Sequence, residues 1–519
     1  MIWHENSPTH LVVVHYHLRP GGVRRVIELV LPDIVATMPS LRRLTFIVGE
    51  SSDAQWIQSL RSRLRSVEII IHVNACAGYF SEVRMAPASI AAELKTLFAE
   101  AISPNEETVV WAHNLGLARN LHLASELSRI ASRPHTRLVS HHHDLWFENR
   151  WNRWPEFTEC GVESLDAVAD IVLSASARVC HAMINRRDFR SFRGFPRTSV
   201  GWLANPLAPK SDVSIDETRS ASSWLRSQLG DGNPIWIAPT RFLRRKNLPE
   251  SILLSRWMCP GGWLITTAGP SSADEKRAYE TLSRFVDKHK LRVRFGLLAE
   301  ARDEAPGIGS LIAASDAVIA TSIQEGFGLP YLEAANAGKP LIARRLPNTV
   351  SDLKMLGHSM SNTYAELWIH PSLIDAGKEI SRQNADWEAF LERIPHDARK
   401  LAGAPWIRCW RAGTPLAFSR LTLAGQLEIL SVDPQVSWRL SRRWNPSLCR
   451  IANRADSASM LPDVISPYLS ARLSAETYAQ SFWHLAACCS TQGTREARAI
   501  HQAMLTMRLA ESHLFPVLW

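Results

Sequence analysis

Two carboxylates, Glu325 and Glu333, flank a glycine loop in the string TSIQEGFGLPYLEAANAGKPLIA that runs from Thr321 to Ala343. DAVIATS, from Asp316, reads as a buried strand. GFG leaves the main chain uncovered, and Pro330 suits the first turn of a helix through LPYLEAANA that Gly338 ends. Glycines at 326 and 328 let a ligand approach the backbone, and the free N–H groups of a helix start carry partial positive charge. The combination is an anion cradle. The spacing puts Glu325 at the loop mouth and Glu333 in the first helical turn, where both can accept hydrogen bonds from vicinal hydroxyls. Acids of this kind beside a phosphate cradle suit a sugar nucleotide.

Cations suited to the same ligand stand in PIWIAPTRFLRRKN, where a strand from Pro234 runs into Arg241, Arg244, Arg245 and Lys246 just before a helix. Side chains at the carboxyl end of a parallel strand point into the ligand crevice, so Arg241 and Lys246 are read as partners of a diphosphate leaving group. Arg244 and Arg245 are read as a solvated face outside the site. A further strand, LVVVHYH from Leu11, leads to Gly21, Gly22 and a helix, without the Gly-x-Gly-x-x-Gly spacing of a dinucleotide fold. In LVSHHHDLWFENRW, strand alternation puts His141 and His143 on one face and His142 on the other, so the triplet does not read as one metal site.

Glu325, Gly326, Phe327, Gly328, Leu329, Pro330, Glu333, Ala334, Gly338 and Pro340 together resemble the signature of glycosyltransferase family 4. The resemblance implies a GT-B fold and a retaining transfer from a UDP-, GDP- or ADP-sugar without a required metal. It assigns Glu325 to the transferred sugar, Glu333 to the ribose, and the backbone of Gly326, Phe327, Gly328 and Leu329 to the donor. Arg241 and Lys246 match the family's Arg and Lys pair, Gly21 and Gly22 its first glycine loop, and His143 with Asp144 its His-Asp pair near the sugar. Asp144 and Glu148 are read as acceptor contacts, with Asn149 and Arg150 plausible by position. With no enzymic nucleophile in view, the expected chemistry is front-side displacement onto a carbohydrate, polyol or lipid-linked hydroxyl. A GT-B epimerase or phosphorylase, or a non-catalytic sugar-binding subunit, are the competing readings.

These residues need two rigid platforms. Short apolar runs alternating with helical spacing predict two Rossmann-like, doubly wound α/β domains facing across a cleft. Residues 1–205 make the first, with strands from Leu11, Leu44, Val67, Thr108, Thr136 and Ala169. Residues 206–233 read as a linker with one helical candidate and 234–359 as the donor domain. Residues 360–470 form a Trp-rich, mostly helical insertion, and 471–519 helices that cross back to the first domain, Tyr478 to Cys488 among them.

The bulk composition narrows little but excludes some classes. A net charge of +9 over 519 residues, unaccompanied by any RNA- or DNA-binding motif, predicts no nucleic-acid partner. Eight cysteines without a Cys-x-x-Cys pair suggest neither a zinc ribbon nor a disulfide framework. No basic leader precedes the first apolar run, and no stretch of about 18 apolar residues occurs, so a cytoplasmic protein with at most peripheral membrane contact is expected.

Overall fold

The computed structural model describes residues 7–50, 53–148, 150–174, 178–193, 199–208, 213–270, 273–300, 305–456, 460–488 and 494–511. Two all-parallel sheets of seven and six strands carry the architecture. The first joins β1 (His10–His15), β2 (Arg43–Val48), β3 (Glu68–Val73), β4 (Thr108–His113), β5 (Thr136–His142), β6 (Val179–Met183) and β7 (Val200–Trp202) in the order β3-β2-β1-β4-β5-β6-β7. The second joins β8 (Ile235–Ala238), β9 (Trp263–Thr266), β10 (Val293–Arg294), β11 (Ala317–Ala320), β12 (Leu341–Arg344) and β13 (Thr363–Tyr364) in the order β10-β9-β8-β11-β12-β13. Helices cover both faces of each sheet, which is why β1, β4, β8 and β11 are buried along their whole length and read as continuous apolar runs. The expected pair of doubly wound domains is the observed fold.

Strand order reverses between β1 and β4 in one sheet and between β8 and β11 in the other. At such a switch point the loops leaving two neighbouring strands diverge to opposite faces and leave a crevice. The loops after β1, β4, β8 and β11 therefore inherit the chemistry, whatever the rest of the chain does.

One local expectation fails, and the connector 206–233, with its one expected helical candidate, carries more packing than a connector needs. The run from Ala169, expected as a strand, lies mostly in the helix Leu165–Val172, capped by Ser164, with Leu165, Val168, Ala169 and Val172 buried on one face. That spacing of three and four is helical, and a short apolar run alone does not discriminate it from a strand. The sixth strand is instead β6, whose Cys180 and His181 disguise a fully buried segment. The segment 206–233 holds the helix Ile215–Leu229, closed by a Ser214–Glu217 capping box, with Ala221, Leu225 and Leu229 buried and the two leucines in the core of the second sheet.

The segment after Met355 first completes the second sheet with β13 and then turns mostly helical. Its helices Leu423–Ser431, Pro434–Ser441 and Pro446–Asp456 pack on Leu248–Met258 of the second sheet's layer. The helix Ala376–Arg393 instead sends Trp387 and Phe390 into a core shared with Trp146, Trp151 and Trp154 of the first domain. Trp438 stacks on Trp257 at 5.0 Å, and Trp406 lies under the Arg420 guanidinium, so these indoles are packing residues. Ala475–Ala487 returns to the first sheet, where Trp483 donates to the Ile34 carbonyl at 2.9 Å and Leu485 fills the space over Gly201. Among the described residues no helix is long and apolar enough to cross a membrane.

The first sheet buries an unusual number of imidazoles. His10, His113, His141, His142 and His181 are all on its strands and at most 4% exposed. Burial depresses His10 to about 3 and His181 to about 4, and holds the other three well below the ordinary imidazole value of 6.5. The folded state thus keeps them neutral while the unfolded chain takes up protons as pH falls through 6.5. Stability from this source is complete above 6.5 and drains away toward the folded values of about 4 and 3. Calorimetric melting should show Tm falling through that window, as stability drops by up to about 1.4 kcal/mol per pH unit for each imidazole. A Tm that stays flat between about pH 7 and about pH 5 would contradict this.

Candidate active site

The loop after β11 presents Glu325, and the turn after β8 presents Lys246 to it. Lys246 Nζ lies 2.5 Å from Glu325 Oε1, which also accepts from Ser322 Oγ at 2.5 Å, while Arg245 Nη1 stands 3.6 Å from Oε2. Burial alone would raise the Glu325 carboxyl. The Lys246 and Arg245 cations outweigh it and hold the group below the usual carboxylate range, so it is ionised. Burial moves the Lys246 ammonium the other way, downward, against the attraction of Glu325.

The lysine turn is held from behind. Asn247 takes a left-handed conformation (φ 51°) at 0% exposure, donates to Glu250 Oε2 at 2.8 Å and accepts from Gln426 Nε2 at 3.0 Å. Thr321 Oγ1 binds the carbonyls of Lys246 and Asn247 at 3.0 and 3.1 Å, tying the turn to the exit of β11. Glu250 in turn meets the buried Arg344 at 2.5 Å and the Tyr364 hydroxyl at 2.5 Å. A pocket lined by Thr240, Lys246, Ser251, Thr321, Ser322 and Pro330 lies between the two loops.

The glycines do what the spacing implies. Gly328 has φ +92°, and a Cβ there would meet Thr349 Cγ2 at 2.3 Å. A Cβ on Gly326 would meet the His143 carbonyl oxygen of the first domain at 2.8 Å. The backbone N–H groups of residues 326–329 have no acceptor among the described residues and open the helix Leu329–Asn336. The Phe327 ring is 3% exposed in the second core, so only its backbone is available to a ligand. Leu329 is half-buried against that same core.

Glu333 sits in the second turn of that helix, not the first, because the helix begins at Leu329. It is half-buried, and its carboxylate has no hydrogen bond or ion pair among the described residues. Burial raises its carboxyl, opposed by the charges of Lys246 and of Arg25 from the first domain's helix Gly22–Ala36. Gly21 and Gly22 are exposed at the start of that helix with open space at their Cβ positions. Arg241 is exposed, and its charge acts on His17 in the first domain.

Opposite the cradle, Asn114 Oδ1 accepts from the N–H groups of His143 and Asp144 at 2.8 and 3.2 Å, which fixes the His-Asp pair. His143 Nε2 is 3.1 Å from His113 Nδ1, and burial lowers its pKa to about 4. His142 points away to His181 at 2.9 Å, as strand alternation requires. His113, His141 and His143 nonetheless bring ring nitrogens within 4.8 Å of one another, a grouping able to hold a metal ion that the triplet alone did not reveal. His113 comes from a neighbouring strand, 28 residues before His141 by the register His113↔His141, so only the sheet pairing exposes it.

Three expectations change at this side. Arg245 is no solvated residue: it faces Asp144 at 3.8 Å as well as Glu325, and Arg244 donates to the Leu421 carbonyl at 3.1 Å. Asp144, expected as an acceptor contact, lies between Arg245 and Arg150, each 3.8 Å away. Glu148 is turned to the C-terminal helix, where Arg508 meets it at 3.0 Å, and burial pushes its carboxyl up to about 7. Asn149 lies outside the described residues. Ser322, Asn247, Asn114 and Arg245 were missed because isolated polar residues carry no periodic signal.

Residues 226–354 match the family described as glycosyl transferases group 1, a span that holds both the Lys246 turn and the Glu325 loop. The mannosylglucosyl-3-phosphoglycerate synthase of Petrotoga mobilis is 22% identical over 396 residues, covering 74% of this chain and 73% of the relative. Among solved structures, the N-terminal domain of Candida albicans trehalose-6-phosphate phosphatase superposes with a TM-score of 0.50 at 12% identity, over 93% of this chain and 97% of that one. The UDP-glucose complex of Anabaena HepE gives 0.45 at 15% identity, over 86% and 98%. The chain thus has the GT-B fold, and its second domain carries a segment that matches the glycosyl transferases group 1 family.

Proposed function

We propose that this protein is a retaining, family 4-like hexosyltransferase that uses a UDP-, GDP- or ADP-sugar and a hydroxyl acceptor. The observation that carries the reading is the meeting of Lys246 and Glu325 beside the unsatisfied amides of residues 326–329. Those amides and the Lys246 and Arg241 cations suit a diphosphate, whose negative charge grows as the glycosidic bond breaks. Glu333, lacking a protein partner, is free to accept from ribose hydroxyls, and Glu325 from the sugar being moved. The relative's name, a synthase of a mannosylglucosyl compound, supports hexose as the group transferred.

Asp144, the carboxylate next to His143, is committed to two arginines, so we read no enzymic nucleophile among the described residues. The acceptor oxygen therefore attacks the anomeric carbon from the face the nucleotide leaves. The bond from that carbon to the phosphate oxygen breaks, and the acceptor's proton passes to the departing phosphate. His143, neutral and fixed by Asn114, is placed to hydrogen-bond a sugar hydroxyl.

Lys246→Ala and Glu333→Ala should each lower kcat/KM at least about tenfold, near 1.4 kcal/mol, without loss of fold. Near-wild-type kinetics in both would remove the assignment. A thermal-shift screen over UDP, GDP and ADP should find one nucleotide that raises Tm in the parent and not in Lys246→Ala. Exhaustive chelation should leave transfer intact. Loss of activity restored by a divalent cation would show that a metal takes part, with the His113, His141 and His143 group the place to look.

A further inference from the structure

Arg119, on the loop after β4, is a buried cation without a counter-ion. It is 7% exposed, and no carboxylate of the described residues lies within ion-pair distance. Among the described residues its guanidinium makes one hydrogen bond, from Nη2 to Ser81 Oγ at 3.2 Å, and its Nε is buried with no partner. Its neighbours do not neutralise it. Glu156 is committed to Arg153 at 2.5 Å, and Asp144 lies between Arg150 and Arg245. An unpaired cation at this burial is destabilising unless an anion arrives from outside.

The surroundings are built rather than accidental. The guanidinium lies over the Tyr79 ring at 4.1 Å, and the Tyr79 hydroxyl is 2.9 Å from His17 Nε2. His17 Nδ1 is a second buried nitrogen lacking a partner. Asn120 locks the two loops together by donating to the carbonyls of Cys76 and Gly78 at 2.8 and 2.9 Å. His17 feels the charges of both Arg119 and Arg241, so this corner borders the groove between the domains.

We infer that Arg119, with His17 and Tyr79, binds an anionic group, a phosphate or a carboxylate, carried by the acceptor. The inference rests on the transferase reading, because the donor's diphosphate is assigned to Lys246, Arg241 and the loop amides of the second domain. Arg119 stands on the first domain, across the groove from them, where the second substrate must enter. A neutral acceptor would leave the guanidinium uncompensated, so the site selects for charge. A phosphate accepts the planar fork of a guanidinium better than a single ammonium, which makes arginine the fitting residue here.

Isothermal titration of the full-length protein with inorganic phosphate, glucose 6-phosphate, glucuronate and glucose tests this. Glucose 6-phosphate or glucuronate should bind more tightly than glucose, their ratio telling phosphate from carboxylate. Arg119→Gln should weaken the charged probe at least about tenfold, with Arg119→Lys restoring part of it. Melting gives an independent readout: Arg119→Gln should be at least as stable as the parent without anion, and should lose the rise in Tm that phosphate produces. Equal binding of glucose and its charged forms, no binding of any anionic probe, or full affinity in Arg119→Gln would each overturn the inference. So would anion binding that is lost in Lys246→Ala but kept in Arg119→Gln, which would place the anion in the donor cradle. Binding of UDP, GDP or ADP, measured separately, should survive Arg119→Gln within about twofold. If none of the three binds the parent, the transferase reading falls on its own evidence.

Discussion

The structure turns on one contact, the ammonium of Lys246 against the carboxylate of Glu325 in a groove that shields both from water. Two opposite charges taken out of water gain little net stability from each other, because desolvation offsets most of their attraction. Their value is positional. They hold a cation and an acceptor at the exits of two adjacent strands, β8 and β11, where the ammonium can turn from the carboxylate to an anionic ligand. Everything behind them opposes relaxation of that arrangement: the left-handed Asn247, the Thr321 hydroxyl, and the buried Glu250 and Arg344 pair.

That support reaches well beyond the second sheet. Gln426, at 0% exposure on a helix of the C-terminal segment, supplies the hydrogen bond that completes Asn247. Another helix of the same segment packs Phe390 against Trp151 of the first domain, with ring centroids 6.2 Å apart. The segment therefore braces the lysine turn from one side and touches the opposite wall of the groove from the other. The C-terminal helices continue the connection, with Trp483 seated on the first domain's leading helix and Arg508 between Glu148 and Asp188.

The two walls also differ electrostatically. The second domain contributes fixed charges, Lys246, Arg245 and Glu325. The first contributes imidazoles that burial keeps neutral, His113 and His143 among them, and hence hydrogen bonds without a field of their own. Arg25, Arg119 and Arg150 are cations on that side, and among the described residues Arg119 has no carboxylate within ion-pair distance.

The sequence by itself determined the fold class and the glycine loop that opens the helix after β11, because both are written in local patterns. Doubly covered parallel strands are continuous apolar runs, and a glycine loop entering a proline-started helix occupies neighbouring positions along the chain. It also singled out Lys246, whose place at the end of an apolar strand is a local fact. Tertiary structure alone decided the rest. That Arg245 faces Asp144, that Glu148 is claimed by Arg508, and that His113 joins His141 and His143 are outcomes of strand pairing and helix docking between distant segments. Single polar residues have no period to betray their partners, and the sign of a buried charge's environment depends on what burial brings beside it. Arg119 shows the limit most clearly: in the chain it is one arginine among many, and only the fold leaves it buried without an acid.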